Sequence, residues 1–243
     1  MEVTFICHST FWVSTPNAYL LMDWYQTPEG LNLQQMAARP NVPIYILCTH
    51  SHPDHYNPTV FELFPNREVH YIFHQELEEH VPPTQRTKPS FIATGETYNG
   101  NIQVKAYGST DLGGSFYIQL PREGMPPTTL FFAGDLNHWH WQEEADEFHQ
   151  RLYHDHWKQE LQRIVNDAPQ PQILFFPTDL RLGKGFLRGL RDFLQNIKGV
   201  EYLFPMHING VLNNLFPLQE LAQQSDTSLV PLCTPGDSVR LQL

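Results

Sequence analysis

The chain has 243 residues, of which 41% are hydrophobic and 13% aromatic, a composition that excludes a disordered chain. This length fits one large α/β domain covering residues 1–243. The formal net charge of −11 argues against nucleic acid as the main partner, because a protein that binds the phosphate backbone needs a basic surface.

The N-terminal segment and the cysteines indicate a compartment. Residues 1–5 lack the basic region and the long apolar core of a signal peptide, and no apolar run approaches the length of a membrane span. Cys7, Cys48 and Cys233 have no disulfide-like or zinc-ribbon spacing, and each lies in an apolar stretch. We therefore expect reduced, buried thiols in a cytoplasmic protein that has no membrane partner.

Apolar runs separated by turn residues predict mostly strands in the first half of the chain. A short helix is predicted over residues 60–63, after Pro58, and the proline-rich stretch 81–89 is predicted to be a loop. The predicted strands cover residues 3–7, 18–22, 44–48, 69–73, 102–106, 116–120 and 129–133.

Helices alternate with strands in the second half. A long helix is predicted to begin after Asn137, to continue through Trp157 and to end before Pro169. Further helices are predicted over residues 186–197 and near 218–224, and further strands over residues 173–176, 202–204, 229–232 and 239–241. Strands first, and then strands alternating with helices, suit two mixed β-sheets packed face to face with helices outside.

Residues 49–55, which read Thr-His-Ser-His-Pro-Asp-His, directly follow the apolar run 44–48. Imidazole is a common metal ligand, and a carboxylate adds the negative charge that a divalent cation needs. Alternate residues of an extended segment share a face, so His50 and His52 can bind one metal. The turn imposed by Pro53 lets Asp54 and His55 point at a second metal. The alternative is a polar loop that happens to be rich in histidine.

The pattern H-x-H-x-D-H after a buried strand resembles the signature of the metallo-β-lactamase superfamily. That resemblance implies an α/β fold of the four-layer αββα sandwich type and covers essentially the whole chain. Residues 7–11 resemble the opening motif of the branch that includes ascorbate-6-phosphate lactonase. Three later stretches also fall where the family would place its motifs: Gly134-Asp135, Phe176-Pro177-Thr178-Asp179 and Pro205-Met206-His207.

The resemblance also implies a dinuclear metal site and its chemistry. A water shared by the metals would be ionised near neutral pH, and Asp54 would orient that hydroxide or pass a proton to the leaving group. Ligands of this type suit two Zn²⁺, Mn²⁺ or Fe²⁺ ions, with zinc preferred. The implied ligands are His50 and His52 on one metal, Asp54, His55 and His207 on the other, and Asp135 between them.

The chain departs from the family pattern in one place. The family usually supplies a third histidine to the first metal from a loop before the bridging aspartate, and the sequence has no histidine between His80 and His138. Asp111 is the one residue of the corresponding stretch with strong ligand character, so it is a candidate substitute. The alternative is that residues 109–111 form an ordinary turn, which would leave the first metal site weak.

Further polar residues follow predicted strands. His140, in the run Asn137-His138-Trp139-His140-Trp141, is a candidate catalytic residue that contacts substrate or donates a proton, and packing is the alternative. His8 is expected to hydrogen-bond to a ligand from below the site, or to be a core histidine. Arg181 would bind an anionic substrate group or form an ion pair with Asp179.

The leading hypothesis is a metal-dependent hydrolase in which a metal-bound hydroxide attacks an ester-like bond of a small molecule, a lactone or a phosphorylated metabolite. Two alternatives are a phosphodiesterase or nuclease of the same superfamily and a non-catalytic metal-binding protein. The net charge disfavours the nuclease. The sequence does not fix the substrate, the native metal or a homo-oligomeric state.

Overall fold

A computed structural model describes residues 1–141, 144–208 and 215–243, which form two compact units. The first unit contains residues 1–94 and 232–243, and the second contains residues 95–231. The prediction that residues 1–243 form a single domain stays a prediction. Within the described ranges no helix is long and apolar enough to cross a membrane.

The regular elements are mainly strands, which we number in chain order. Strands β1 to β14 are Glu2–Cys7, Thr10–Ser14, Tyr19–Met22, Ile44–Cys48, Val69–His74, Pro89–Ile92, Thr97–Asn99, Gln103–Gly108, Gly114–Arg122, Met125–Phe132, Ile173–Pro177, Tyr202–Met206, Ser228–Leu229 and Ser238–Arg240. Helices α1 to α4 are Leu33–Met36, Glu147–Asp167, Arg188–Asn196 and Phe216–Gln224. Short 3₁₀ helices cover Pro58–Glu62, Gln75–Glu79, Pro83–Gln85 and Leu180–Gly185.

The first unit is built on a seven-stranded mixed sheet in the order β14-β1-β2-β3-β4-β5-β6. Strands β1 to β3 pair antiparallel, and β3 to β6 pair parallel. Every residue of β3 and β4 is buried, which explains why both segments are continuous apolar runs rather than alternating ones. Because β3 and β4 are parallel neighbours, the residues that follow them lie side by side.

The second unit has its own seven-stranded mixed sheet, in the order β13-β12-β11-β10-β9-β8-β7. Strands β10 to β13 are parallel, and β7 to β10 are antiparallel. The carboxyl ends of β10, β11 and β12 therefore lie at one edge of this sheet, where ligands commonly bind in α/β folds. The prediction of two mixed β-sheets with helices is confirmed.

Several elements differ from the sequence predictions. The long helix α2 begins at Glu147, and its N-cap is Asp146, whose side chain accepts a hydrogen bond from the backbone of His149. The prediction that it begins after Asn137 was wrong, because residues 137–141 are not helical. Strands β2, β6 and β7 and helix α1 were not predicted. The helix predicted over 60–63 is the 3₁₀ helix Pro58–Glu62, whose first turn is capped by Asn57.

Two of the three cysteines follow the prediction. Cys7 and Cys48 are buried, and burial raises the pKa of both thiols. Cys233 is exposed, so the prediction of a core position was wrong for that residue. Cys233 lies in the segment before the short edge strand β14, and an apolar residue in such a segment does not have to face the core.

Candidate metal-ligand clusters

The candidate ligands of the first unit directly follow the buried strand β4. The backbone N–H groups of His55 and Tyr56 both donate to the carbonyl of His52 at 2.9 Å, so the chain turns sharply after the strand. His50 and His55 are buried, while His52 and Asp54 are half-buried. The turn therefore places four candidate ligands within six residues at the edge of the sheet.

Asp23, which follows β3, is the fully buried acceptor that organises this turn. Its Oδ1 accepts from the Thr49 backbone N–H at 2.8 Å. Its Oδ2 accepts from the Thr49 hydroxyl at 2.7 Å and from Nδ1 of His55 at 2.8 Å. Because the Thr49 hydroxyl donates its proton to Asp23, it can only accept from Nδ1 of His50, which lies 2.9 Å away.

This network fixes the tautomers of two histidines. His50 and His55 each use Nδ1 as a hydrogen-bond donor, so Nε2 is the nitrogen that can bind a metal in both rings. An outer carboxylate that orients a metal-binding histidine in this way is the usual arrangement in metalloproteins. The carboxylate of Asp23 therefore serves both rings, directly for His55 and through Thr49 for His50.

The distances within the first unit fit a divalent metal. His50 Nε2 lies 3.0 Å from His52 Nδ1. Two nitrogen ligands at about 2.0–2.1 Å from a shared metal are themselves roughly 2.9–3.3 Å apart, so this pair needs little rearrangement. The ligand atoms of His8, Asp54 and His55 form a second group, all within 4.8 Å of one another. The donor set of imidazole and carboxylate suits zinc, manganese or iron.

The side chain of His8 lies beside that of Asp54. The two side chains approach to 3.3 Å between Nε2 and Oδ2. The hydrogen bond from His8 holds the pKa of the Asp54 carboxyl well below its usual range, although burial opposes this effect. His8 has a φ of 48° and Asp23 a φ of 46°, a left-handed conformation that is uncommon outside glycine and concentrates at functional sites.

Glu76 anchors Ser51, the residue between His50 and His52. Its Oε2 accepts from the Ser51 backbone N–H at 2.9 Å, and its Oε1 accepts from the Ser51 hydroxyl at 2.7 Å. Ser51 lies between His50 and His52 in the sequence, so this double contact fixes the backbone that carries both rings. No local sequence pattern connects Glu76 with Ser51, so Glu76 was not among the predicted site residues.

Replacing Glu76 with alanine should weaken metal binding without removing a ligand. The Ser51 backbone and hydroxyl would lose their acceptor, and the two histidines would lose their fixed spacing. We expect the metal dissociation constant to rise about 10–100-fold, as is typical when an outer hydrogen-bond partner is lost. Competition with a chromophoric chelator measures it. Glu78→Ala, at an exposed position in the same 3₁₀ helix, is the control, and an unchanged constant for Glu76→Ala would contradict this role.

The second unit contains an equivalent arrangement at the carboxyl ends of β10, β11 and β12. Asp135, Asp179 and His207 follow these three strands and are all buried. Nδ1 of His207 donates to Oδ2 of Asp179 at 2.9 Å, which leaves Nε2 as the nitrogen that could bind a metal. That Nε2 lies 3.5 Å from Oδ1 of Asp135. A fully buried aspartate thus orients a histidine in each unit.

Asp179 is held ionised by its partners. Burial opposes its ionisation, but hydrogen bonds from His207 and Arg181 hold the pKa of its carboxyl well below the usual range. Nε of Arg181 lies 2.9 and 3.0 Å from the two carboxylate oxygens, and the Arg181 backbone N–H donates to Oδ1 at 2.9 Å. The ion-pair interpretation of Asp179 and Arg181 is therefore the one that the geometry favours.

The backbone around Asp135 and His207 is tightly constrained. The Trp139 indole N–H donates to the carbonyl of Asp135 at 2.7 Å, and its ring meets the His207 ring edge-on, with centroids 5.6 Å apart. His207 has a φ of 55°, and the glycine before Asp135, Gly134, has a φ of 54°. Trp139 is buried, so it packs against these two candidate ligands instead of presenting a broad surface to solvent.

Asp111 lies in an exposed turn. Its backbone N–H donates to the Ser109 hydroxyl at 3.3 Å. This contact favours the alternative in which residues 109–111 form an ordinary turn. Among the described residues, no group of potential ligands with atoms within 4.8 Å of one another includes Asp111. Its metal-binding role stays a prediction.

His140 is buried and packs closely against Gly185. A Cβ atom at position 185 would lie 2.5 Å from Cε1 of the ring, so only glycine allows this approach. Burial lowers the pKa of His140, while a hydrogen bond with the Gly185 backbone opposes that shift. The close packing favours a structural role, and the catalytic role of His140 stays a prediction.

The comparisons with known proteins agree with this description. The chain matches no protein-family model. It is 22% identical over 265 residues to a protein of Desulforamulus reducens described as a UPF0173 metal-dependent hydrolase, an alignment covering 99% of this chain and all of that protein.

Several solved structures are similar in fold, and two of them illustrate the similarity. One is Igni18, a metallo hydrolase of Ignicoccus hospitalis, with a TM-score of 0.65, 16% identity, and coverage of 100% of this chain and 98% of that one. The other is the metallo-β-lactamase fold protein YhfI of Bacillus subtilis, with a TM-score of 0.58, 12% identity and 98% of both chains covered. The chain therefore has the fold of the metallo-β-lactamase-like proteins.

Proposed function

We propose that this chain is a metal-dependent hydrolase that cleaves an ester-like bond of a small molecule, either a lactone or a phosphorylated metabolite. The observation that carries the proposal is the network around Asp23, which orients His50 and His55 with Nε2 available to a metal. The relative described as a metal-dependent hydrolase supports it. A cytoplasmic location and a small-molecule partner, without nucleic acid, belong to the same proposal.

The proposed ligands come from the clusters of both units. A bound divalent ion lowers the pKa of a water molecule to near neutrality and thereby supplies the nucleophile. Two ions, most simply zinc, with manganese or iron as alternatives, match the donor types. The full proposed ligand set is His50, His52, Asp54, His55, Asp111, Asp135 and His207.

Each residue of the clusters then has a definite task. Asp54, which His8 keeps ionised, would orient the attacking water or pass a proton to the leaving group. Asp23 and Asp179 hold the rings of His55 and His207 in the metal-binding tautomer. His140 would contact the substrate.

The metal content of the purified chain, measured by elemental analysis, tests the proposal first. About two metals per chain would support a dinuclear hydrolase, which would then be screened against lactones and phosphodiesters with and without a chelator. Absence of tightly bound metal in the purified chain and in chain incubated with zinc, manganese or iron would overturn it.

Asp111→Ala tests whether the aspartate replaces the missing histidine. If Asp111 is a ligand, the variant should release about one metal per chain and keep the other. Elemental analysis after dialysis measures this, with Asp155→Ala, an exposed position in α2, as the control. Unchanged stoichiometry would assign Asp111 to the turn alone.

A non-catalytic metal-binding protein is the second candidate. The exposure of Asp111 favours it, because a first metal with only two histidine ligands would be held weakly. Chain that retains about one metal and hydrolyses neither lactones nor phosphodiesters would support this candidate over the hydrolase.

A further inference from the structure

The second unit contains a cavity of about 460 Å³, and His140 is the one described lining residue to which the proposed hydrolase function gives a role. Three segments line it: the stretch after β10, the first two turns of α2, and the beginning of α3. The lining includes three histidines and two arginines, which are His138, His140, His154, Arg151 and Arg188.

The cavity is cationic in a chain that is strongly acidic. Arg151 and Arg188 both line it, and Glu147 is the one carboxylate among the described lining residues, whereas the whole chain has a net charge of −11. The local excess of positive charge is therefore a property of how the chain folds. Such a concentration of cationic side chains in a concave surface attracts anions.

Arg188 is half-buried, and its guanidinium makes no hydrogen bond or ion pair with residues 1–141, 144–208 or 215–243. Two other arginines do make such contacts: the terminal nitrogens of Arg67 donate to backbone carbonyls, and Arg181 pairs with Asp179. Withdrawing a guanidinium from water without a partner is unfavourable. Its fork of N–H donors fits an oxyanion that accepts two hydrogen bonds at once.

The side chains around His138 also create a positive electrostatic potential in the cavity. Its ring stacks on Trp157, with centroids 6.1 Å apart and planes 4° apart, and lies 5.1 Å from the His154 ring. Burial, followed by the charges of His154, His140, Arg188 and Lys158, lowers the pKa of His138 to about 4. Positive groups that disfavour a protonated imidazole would favour a bound anion in the same place.

The beginning of α3 adds to this field. Arg188 is its first residue, and Leu187 before it provides no side-chain cap for the first N–H groups of the helix. Gly189 lets the helix approach the histidine segment closely, because a Cβ at this position would lie 2.7 Å from the His138 backbone nitrogen. The close contact keeps Arg188 beside both histidines.

We propose that this cavity binds a phosphate-type oxyanion, with Arg188 as its main ligand and Arg151 as the second. A phosphate group offers more acceptor atoms than a carboxylate, and the cavity presents two guanidinium groups and several imidazoles. The ligand is therefore inorganic phosphate or the phosphate group of a larger molecule. This proposal does not rest on the hydrolase function.

Calorimetric titration of the full chain with inorganic phosphate tests the site, after bound metal is removed with a chelator so that phosphate cannot bind to it. We expect saturable binding that weakens with added salt. Arg188→Gln should weaken it about tenfold or more, and Arg188→Lys less, because lysine keeps the charge but not the fork. Arg151→Gln should weaken it by a smaller factor.

Arg191→Gln is the matched control, because Arg191 is exposed on the same helix and does not line the cavity. It should bind phosphate as the unaltered chain does, and His52→Ala should also leave phosphate binding unchanged. Circular dichroism would verify that each variant is folded. Equal affinity for phosphate in folded Arg188→Gln and the unaltered chain, or no saturable binding by the latter, would overturn the proposal.

Discussion

Asp23→Ala should lower the free energy of unfolding by about 3–5 kcal/mol and greatly reduce metal binding. The carboxylate is fully buried and accepts three hydrogen bonds, from the backbone and hydroxyl of Thr49 and from His55. Its removal leaves three buried donors without an acceptor. The substitution also removes the acceptor of the His55 Nδ1–H group, so the ring is no longer held in the tautomer that leaves Nε2 available to a metal. Urea denaturation of the metal-free chain measures the first effect.

The Asp23→Asn variant tests whether the negative charge or only the shape of the Asp23 side chain is needed for stability. Asparagine keeps one acceptor oxygen but places an NH₂ donor against other donors, so we expect a loss of stability close to that of alanine. Asp155→Ala, at an exposed position, should change the free energy of unfolding by less than about 0.5 kcal/mol. If Asp23→Ala were as stable as this control, the network around Asp23 would not organise the turn.

His52→Ala should abolish hydrolysis and lower the metal content. Nδ1 of His52 lies 3.0 Å from Nε2 of His50, a spacing that suits two ligands of one metal. Without His52, the first metal would keep a single histidine from this loop. We expect activity on any substrate identified to fall by more than about a hundredfold, since even outer-partner losses typically cost 10–100-fold. Elemental analysis of the same preparation should show a lower metal-to-protein ratio.

His70→Ala is the matched control for this variant. His70 lies in β5 of the same sheet, stacks on Tyr45 and contacts Glu68, and has no place in the ligand clusters. It should retain both metal and activity. Full activity in His52→Ala would remove the central claim of the proposed function, whereas loss of activity in both variants would point to general damage to the sheet.

Local sequence patterns predicted a large part of the architecture. The apolar runs at 44–48 and 129–133 correspond to β4 and to the buried second half of β10, because a strand segment that is buried on both faces is largely apolar. The histidine motif lies directly after β4, as predicted. Strands β2, β6 and β7 were missed, because β2 continues a hairpin without a strong turn signal and the other two are short, partly exposed strands.

The supporting residues were harder to predict. Asp23 follows an apolar run in the same way as Asp135 does, so its position after a strand was an available signal, but its partners are 26 and 32 residues away. Glu76 is 25 residues from Ser51 and has no signal of its own. The start of α2 was predicted too early because the aromatic and histidine run 137–141 was predicted to be helical. The helix begins at Glu147, where the side chain of Asp146 caps its first turn.

The sequence by itself determined the candidate ligands and the strands that carry them, because residue type and spacing are local properties of the chain. Only the tertiary structure decided which buried carboxylate orients which histidine, since parallel strands bring Asp23 beside Thr49 and Asp179 beside His207. It also decided that Arg151 and Arg188, far apart along the chain, line one cavity. Hydrogen bonds and charges act between groups a few ångströms apart in space, and the number of residues between two positions in the sequence does not give that spatial distance.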